Sequence, residues 1–396
     1  MRIMIGADQY PEYINGAAMF TARLAHGLAG RGHTVDLLWP SVDRHRHDSV
    51  EAGLRIHRLS SVRLPSKPEL YASAPWTAGR EVAEIMTATR PDVVHVQSHF
   101  ALGNSLIRTA KAAGVPVLAT NHFMPENVLP HVPLLRHAPT LTAGAAWRHL
   151  ARVYRDVDAL SAPTQRAVEL LASATDLPPA LAISCGIDLD RFRAAPAFPH
   201  VPTLLYVGRL EQEKHVDELL RAMSRIPADD GVRLEIVGMG SLRTDLEALS
   251  VRLGVRERVT FLGAVSDDAL VQAYQRADVF VMPGTAELQS LATLEAMASG
   301  LPVVAADAMA LPHLVADAEN GYLYRPGDVR GLTQVLTHLL GSAPLRRRLG
   351  EHSRRKASQH SFEATLTAFE HCYDKLIRSR RASLPETTAR ALLLAS

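Results

Sequence analysis

Strand-like and helix-like segments alternate along this chain, break at one proline-rich stretch, and then alternate again. RIMIGA, TVDLLWP, DVVHVQS, VPVLATNH, ALSAPT and LAISCGID read as strands. Between them AMFTARLAHGLAGRG, TAGREVAEIMTATRP, ALGNSLIRTAKAAG and QRAVELLAS read as helices, the first with Phe20, Leu24 and Leu28 spaced four apart. Such a succession places parallel strands in one sheet with helices over its faces. The segment from Pro125 to Arg155 interrupts the rhythm with prolines, then returns to a helical pattern in AAWRHLARVYRDV. Residues 193–202, RAAPAFPHVP, hold three prolines and no periodicity, and read as a linker. Beyond it TLLYVGR, RLEIVGMG, VTFLGAV, VFVMPG, VVAAD and GYLYRPG alternate with HVDELLRAMSRI, LRTDLEALSVRLG, ALVQAYQRA and ALPHLVA. The expected architecture is α/β, with two doubly wound domains facing each other across a cleft. They cover residues 1–192 and 203–361. A terminal helix over 362–381 is expected to pack back toward the first domain, followed by a tail over 382–396.

Composition narrows the function classes. At roughly 150 residues per domain, 396 residues make two or three domains. Hydrophobic residues are 47% and charged residues 21%, enough for sizeable cores, and the net charge is only +2. A nucleic-acid binder needs a concentrated basic stripe, which this balance disfavours. Two cysteines, Cys185 and Cys372, make neither a disulfide framework nor a zinc knuckle. The N-terminal MRIMIGADQY lacks the apolar run of a signal peptide, and no run approaches the ~18 apolar residues of a membrane span. The expected location is the cytoplasm, with peripheral attachment to the cytoplasmic face of a membrane left open.

In open parallel sheets, ligands bind beyond the carboxyl ends of the strands. The chemistry-bearing residues fall there. Asn15-Gly16 precedes a helix after the first strand, where glycine lets the backbone approach a bound group and the helix terminus favours an anion. A plain turn would look the same. Asn121 and His122 follow VPVLAT, and His122 can touch a substrate hydroxyl or tidy a loop. His99, after VVHVQS, reads better as a structural histidine. Arg209 and Lys214 follow the strand-ending Gly208 in GRLEQEK. Two such cations can neutralise a diphosphate, although the neighbouring acids also allow surface ion pairs. Gly238 and Gly240 in IVGMGSL are a weak sign of a nucleotide-contacting loop, lacking the third glycine of a dinucleotide fingerprint.

The stretch TAELQSLATLEAMASG puts Glu287 in a loop and Glu295 in the following helix. The amides of Gln289, Ser290 and Leu291 would head that helix, where the dipole seats a phosphate. Glu287 can reach a sugar hydroxyl and Glu295 a ribose diol. Locally, a capped helix with an ordinary surface acid explains the stretch as well.

Taken together, these segments resemble the family-4 glycosyltransferases, the large retaining group with the GT-B fold of two Rossmann-like domains. The resemblance runs from NGAAMFTARLAHGLAGRGHTV to the terminal helix. It is strongest in YVGRLEQEKHVDELLRAM, LEIVGMGSLRTDLEAL, VTFLGAVSDDALVQAYQRADVFVMPG and ELQSLATLEAMASGLPVVAAD. AISCGIDLDRF resembles the segment leading into the linker. The resemblance implies transfer of a hexose, of mannose or glucose type, from a GDP- or UDP-linked donor with retained anomeric configuration. It implies no metal and no cofactor. Arg209 and Lys214 would bind the diphosphate, Glu287 the donor sugar and Glu295 the ribose. Gly16 would approach the phosphates, and His122 the donor sugar or the reacting face. Gly208, Gly238, Gly240 and Gly263 would border the donor, with the base near the last three.

Metal-dependent transferases show an Asp-x-Asp after a strand. Here Asp229-Asp230 and Asp267-Asp268 are adjacent pairs, expected in turns or helix caps. The chain also departs from the family pattern. Leu288 and Ser290 stand where glycines are common, His215 replaces a glycine after the lysine, and Asn15 replaces the first of two glycines. Ser290 can instead add a hydroxyl donor or cap the helix. The acceptor is left open between a lipid or polyprenol and a soluble sugar or metabolite. The segment 123–155, with Arg136, Arg148, Arg152 and Arg155 among apolar residues, can meet a lipid surface or close an acceptor pocket. A sugar-nucleotide epimerase, a glycoside phosphorylase or a non-catalytic sugar-nucleotide binder on the same fold are the alternatives.

Overall fold

A computed structural model describes residues 1–8, 16–64, 67–125, 139–193 and 201–382. The chain divides into two compact units, Met1–Ser184 with the residues from Thr365 onward, and Cys185–Ala364. The expected linker falls largely outside the described residues, as does the expected tail beyond residue 382.

The first unit runs β1 (Arg2–Gly6), α1 (Gly16–Gly30), β2 (Thr34–Pro40), β3 (His47–Glu51), β4 (Leu54–Leu59), β5 (Ser61–Leu64) and β6 (Lys67–Ser73). It continues with α2 (Pro75–Thr89), β7 (Val93–Val96), α3 (Ala101–Ala113), β8 (Val117–Thr120), α4 (Pro139–Tyr154), β9 (Ala159–Ala162), α5 (Gln165–Ala174) and β10 (Leu181–Ala182). Its main sheet has the order β10-β9-β8-β7-β1-β2-β4-β3. Every pairing is parallel except β3 with β4. All residues of β7 and β8 are buried. This is the continuous apolar pattern of strands covered on both faces. The winding direction reverses between β1 and β7. With right-handed crossovers, that reversal sends the earlier and later helices to opposite faces.

Residues 41–74 hold two antiparallel pairs that the alternating pattern does not announce. In the β3–β4 hairpin, Glu51 pairs with Leu54, leaving the two-residue loop Ala52-Gly53. Both loop residues are left-handed, with φ of +47° and +83°. A type I′ two-residue loop requires that conformation at both positions, but alanine is a poor sequence signal for it. β5 and β6 form a separate two-stranded ribbon. The strand expected over LAISCGID is reduced to β10, two exposed residues. Beyond it the amides of Cys185 and Ile187 leave the ladder, donating to Gln289 Oε1 and to the His360 carbonyl, each at 2.8 Å.

The second unit runs β11 (Thr203–Val207), α6 (Val216–Met223), β12 (Arg233–Val237), α7 (Arg243–Arg252), β13 (Val259–Gly263), α8 (Asp267–Arg276), β14 (Val279–Met282) and α9 (Leu291–Ala298). Then come β15 (Val303–Ala306), α10 (Leu311–Leu314), β16 (Gly321–Tyr324), α11 (Val329–Leu340) and α12 (Ala343–Ala357). The sheet order is β13-β12-β11-β14-β15-β16, parallel throughout. The winding reverses between β11 and β14. α9 buries Leu294, Ala296, Met297 and Ala298, and β14 and β15 are wholly buried.

The last helix, α13 (Phe362–Ala382), belongs to the first unit from Thr365 onward. Leu366, Phe369 and Tyr373 are buried at spacings of three and four, one face of a helix.

Candidate active site

In the second unit, the loops leaving β11 and β12 meet backbone to backbone. A Cβ on Gly238 would lie 2.0 Å from the Gly208 carbonyl oxygen, and one on Gly240 would lie 2.3 Å from that of Leu210. No side chain fits at either place. The Gly208 amide donates to Val237 at 3.0 Å and that of Gly238 to Gly263 at 2.8 Å. Packing alone therefore accounts for these glycines.

That frame holds the two cations. Arg209 donates through Nη2 to Glu213 Oε1 at 2.7 Å, and its carbonyl accepts the Tyr206 hydroxyl at 2.8 Å. Lys214 is mostly buried and its ammonium bonds directly to the Glu287 carboxylate. The Thr285 amide donates to the Glu213 carbonyl at 3.0 Å. The loops after β11 and β14, the two strands at the reversal, are thus tied together, and Arg209, Lys214 and Glu287 share one locality. Glu211 steadies the next loop, accepting from the Ser241 hydroxyl at 2.6 Å and from its amide at 3.2 Å.

Ser290 takes the N-cap position of α9 with φ +68°, and its side chain makes no cap hydrogen bond. Its hydroxyl pairs with the Thr293 hydroxyl at 2.8 Å instead. Of the two roles open to Ser290, hydroxyl donor or cap, the cap does not form, and the hydroxyl is engaged by Thr293. Gln289 spends its carbonyl oxygen on the Cys185 amide, 2.8 Å away. Glu295, one turn into α9, accepts from the Tyr274 hydroxyl at 2.8 Å. Burial, then the Glu295 charge, holds that phenol well above its ordinary pKa, so it stays a donor. His215 is also left-handed, at φ +48°, and bonds Thr285 Oγ1 at 3.1 Å. Two of the positions where the resembled family carries glycine therefore have the backbone that favours glycine.

Of the aspartate pairs, Asp267-Asp268 sits in the first turn of α8, whose cap is Ser266, and Asp229-Asp230 sits in an exposed single turn.

In the first unit Gly16 opens α1, and Asn15 lies outside the described residues. His122, just beyond β8, places Nε2 2.9 Å from Gln97 Oε1 and its ring 5.3 Å from that of Phe20. Burial lowers its pKa to about 4. Asn121 folds back on the Phe123 backbone at 3.1 and 3.2 Å. His99 packs among Phe100, Phe123, His149 and Tyr154, and burial, then His149, lowers its pKa to about 3. α4 buries Trp147, Leu150, Val153 and Tyr154, and exposes Arg148 and Arg152, with Arg155 exposed just beyond it. Arg136 lies outside the described residues. Among the described residues, no helix is long and apolar enough to cross a membrane.

Sequence reasoning passed over Glu213, Tyr274 and Gln97. Of the three, Gln97 alone left a spacing signal, two residues beyond His95 along the strand direction, while Glu213 shares no helix with Arg209. Tyr274 left none.

Residues 14–191 match the profile of glycosyltransferase family 4, and residues 190–356 match that of glycosyl transferases group 1. The chain is 30% identical to a GDP-mannose-dependent alpha-mannosyltransferase of Mycolicibacterium smegmatis, over 97% of its own length and 100% of the relative's. The chain belongs to the group 1, family 4 glycosyltransferases. A GDP-mannose-dependent alpha-mannosyltransferase of Mycobacterium tuberculosis is 30% identical to this glycosyltransferase, over 86% of the chain and 88% of the relative. Sucrose-phosphate synthase from Thermosynechococcus elongatus superimposes with a TM-score of 0.80 at 21% identity, covering 96% of this chain and all of that one. That likeness shows the GT-B fold. The protein is a hexosyltransferase enzyme by family.

Proposed function

We propose that this glycosyltransferase moves mannose from GDP-mannose to an acceptor hydroxyl on a lipid or small glycoside, with retained configuration and without a metal ion. The observation that carries the reading is the pairing of Lys214 with Glu287, beside Arg209 and just ahead of the α9 N-terminus. A cation pair and the leading amides of a helix suit a diphosphate. The names of the two mannosyltransferase relatives favour GDP-mannose. Glu287 contacts the sugar, Glu295 the ribose and His122 a sugar hydroxyl.

In the reaction the bond between the sugar C1 and the phosphate oxygen breaks, and the acceptor oxygen bonds C1 from the same face. The acceptor proton passes to the departing phosphate oxygen, and GDP leaves. Arg209, Lys214 and the amides of Ser290 and Leu291 stabilise the charge gathering on the diphosphate.

The test uses GDP-mannose with water as acceptor, followed by proton NMR before the released sugar mutarotates. The α anomer should appear first, at a rate unchanged by EDTA. The β anomer first, no turnover, or loss of rate with EDTA would contradict the reading.

A further inference from the structure

The partly buried His122 ends a chain of otherwise buried polar side chains that crosses three neighbouring strands at their carboxyl ends. Gln97, just past β7, accepts from His122 Nε2 at 2.9 Å. Its amide nitrogen lies 3.0 and 3.3 Å from the two ring nitrogens of His95, which is wholly buried on β7. His95 bonds the Tyr373 hydroxyl on α13 at 2.7 Å and Thr120 Oγ1 on β8 at 2.6 Å. Thr120 in turn bonds Ser161 Oγ on β9 at 2.7 Å. Phe20 from α1 covers the His122 ring, and Phe369 from α13 covers both Phe20 and His95. A buried network of this kind is costly unless each member is satisfied, and a satisfied one holds its members in a single arrangement.

A neutral imidazole carries one N–H. Burial keeps His122 and His95 neutral, with pKa values near 4 and 3. With the Gln97 carbonyl taking the N–H at Nε2, Nδ1 of His122 is left as a bare acceptor. We propose that Gln97 is a positioning residue that fixes His122 as the Nε2–H tautomer, so that Nδ1 accepts a hydrogen bond from a sugar hydroxyl. This rests on the reading that puts His122 against the substrate. The rest of the network keeps Gln97 from turning. Its amide end is packed on His95, and His95 is held at both nitrogens by hydroxyls from α13 and β8.

Gln97→Met keeps the shape of the side chain and removes the acceptor. Gln97→Glu keeps the acceptor and adds a charge that favours imidazolium. Among the described residues, His95 is the titratable group whose charge couples to His122, so a carboxylate at position 97 would dominate its protonation. The assay measures kcat and KM from pH 5 to 9, with whichever of GDP-mannose and UDP-glucose the wild-type protein hydrolyses. Gln97→Met, His122→Ala and the double variant are compared, with unfolding midpoints and affinity for the corresponding nucleoside diphosphate measured alongside.

Gln97→Met should lower kcat on the order of 10- to 100-fold, the range seen when the partner that fixes the tautomer of a metal-bound histidine is removed. Nucleoside diphosphate affinity should be unchanged. In the His122→Ala background the same substitution should cost nothing further, because Gln97 acts through His122. Gln97→Glu should restore activity at high pH and move the acid limb of the profile upward. Wild-type kcat in a folded Gln97→Met beside an impaired His122→Ala would overturn the role of Gln97 alone. So would equal losses from Gln97→Met with and without His122, or a Gln97→Glu profile that does not move. Full activity in His122→Ala would instead overturn the placement of His122 at the substrate.

Discussion

Two buried histidines, His95 and His99, and the partly buried His122 give the protein a definite response to acid. Burial holds His95 and His99 near pKa 3 and His122 near 4, against an ordinary value of 6.5. Between those values the unfolded chain binds protons that the folded one refuses. Stability is therefore fully present above about pH 6.5 and falls as pH drops toward 4. Urea unfolding at pH 7.5, 6.0 and 5.0 should show a falling midpoint, and His99→Phe should flatten the fall. A midpoint that does not fall between pH 7.5 and 5.0 would mean these imidazoles protonate in the native state. At this scale the placement of Arg209, Lys214, Glu287 and His122 beyond strand ends was legible, because it can be read from order alone. The partners that hold them were not. Glu213 looks like one more surface acid, yet lies buried beside Arg209, and Tyr274 reaches Glu295 from a different helix. Such contacts depend on how elements pack, which spacing does not contain.

Parallel strands were legible because burial on both faces makes continuous apolar runs, as in VFVM and VVAA. The β3–β4 hairpin was not, because its strands are short and partly exposed and its loop is Ala-Gly. Ala52 is exposed and strained by a left-handed backbone. Ala52→Asn supplies the residue this loop favours and should stabilise the protein by about 1 kcal/mol. Denaturant unfolding measures it, with an unchanged m-value expected, and a loss of stability would contradict the turn geometry. The start of α9 follows the same logic with a different outcome. Ser290 keeps a left-handed backbone without glycine, so the leading amides are not capped by its side chain.

Both units repeat one design. The winding reverses between β1 and β7 in the first and between β11 and β14 in the second, and the candidate residues lie on the loops leaving those strands and their neighbours. An open parallel sheet leaves strand ends free of covering helices at such a reversal, which is why ligands gather there. The second unit brings together cations, acids and a helix terminus that together suit a nucleoside diphosphate. Lys214 is central to that set, buried against Glu287 and in the same turn as Glu213. The direct test is the rate of GDP release from GDP-mannose by wild type and Lys214→Met, with folding of the variant verified by its unfolding midpoint. The rate should fall about 10²–10³-fold in the folded variant, as it does when one donor to a developing oxyanion is removed. A folded Lys214→Met that releases GDP within a few-fold of the wild-type rate would contradict the assignment of this site.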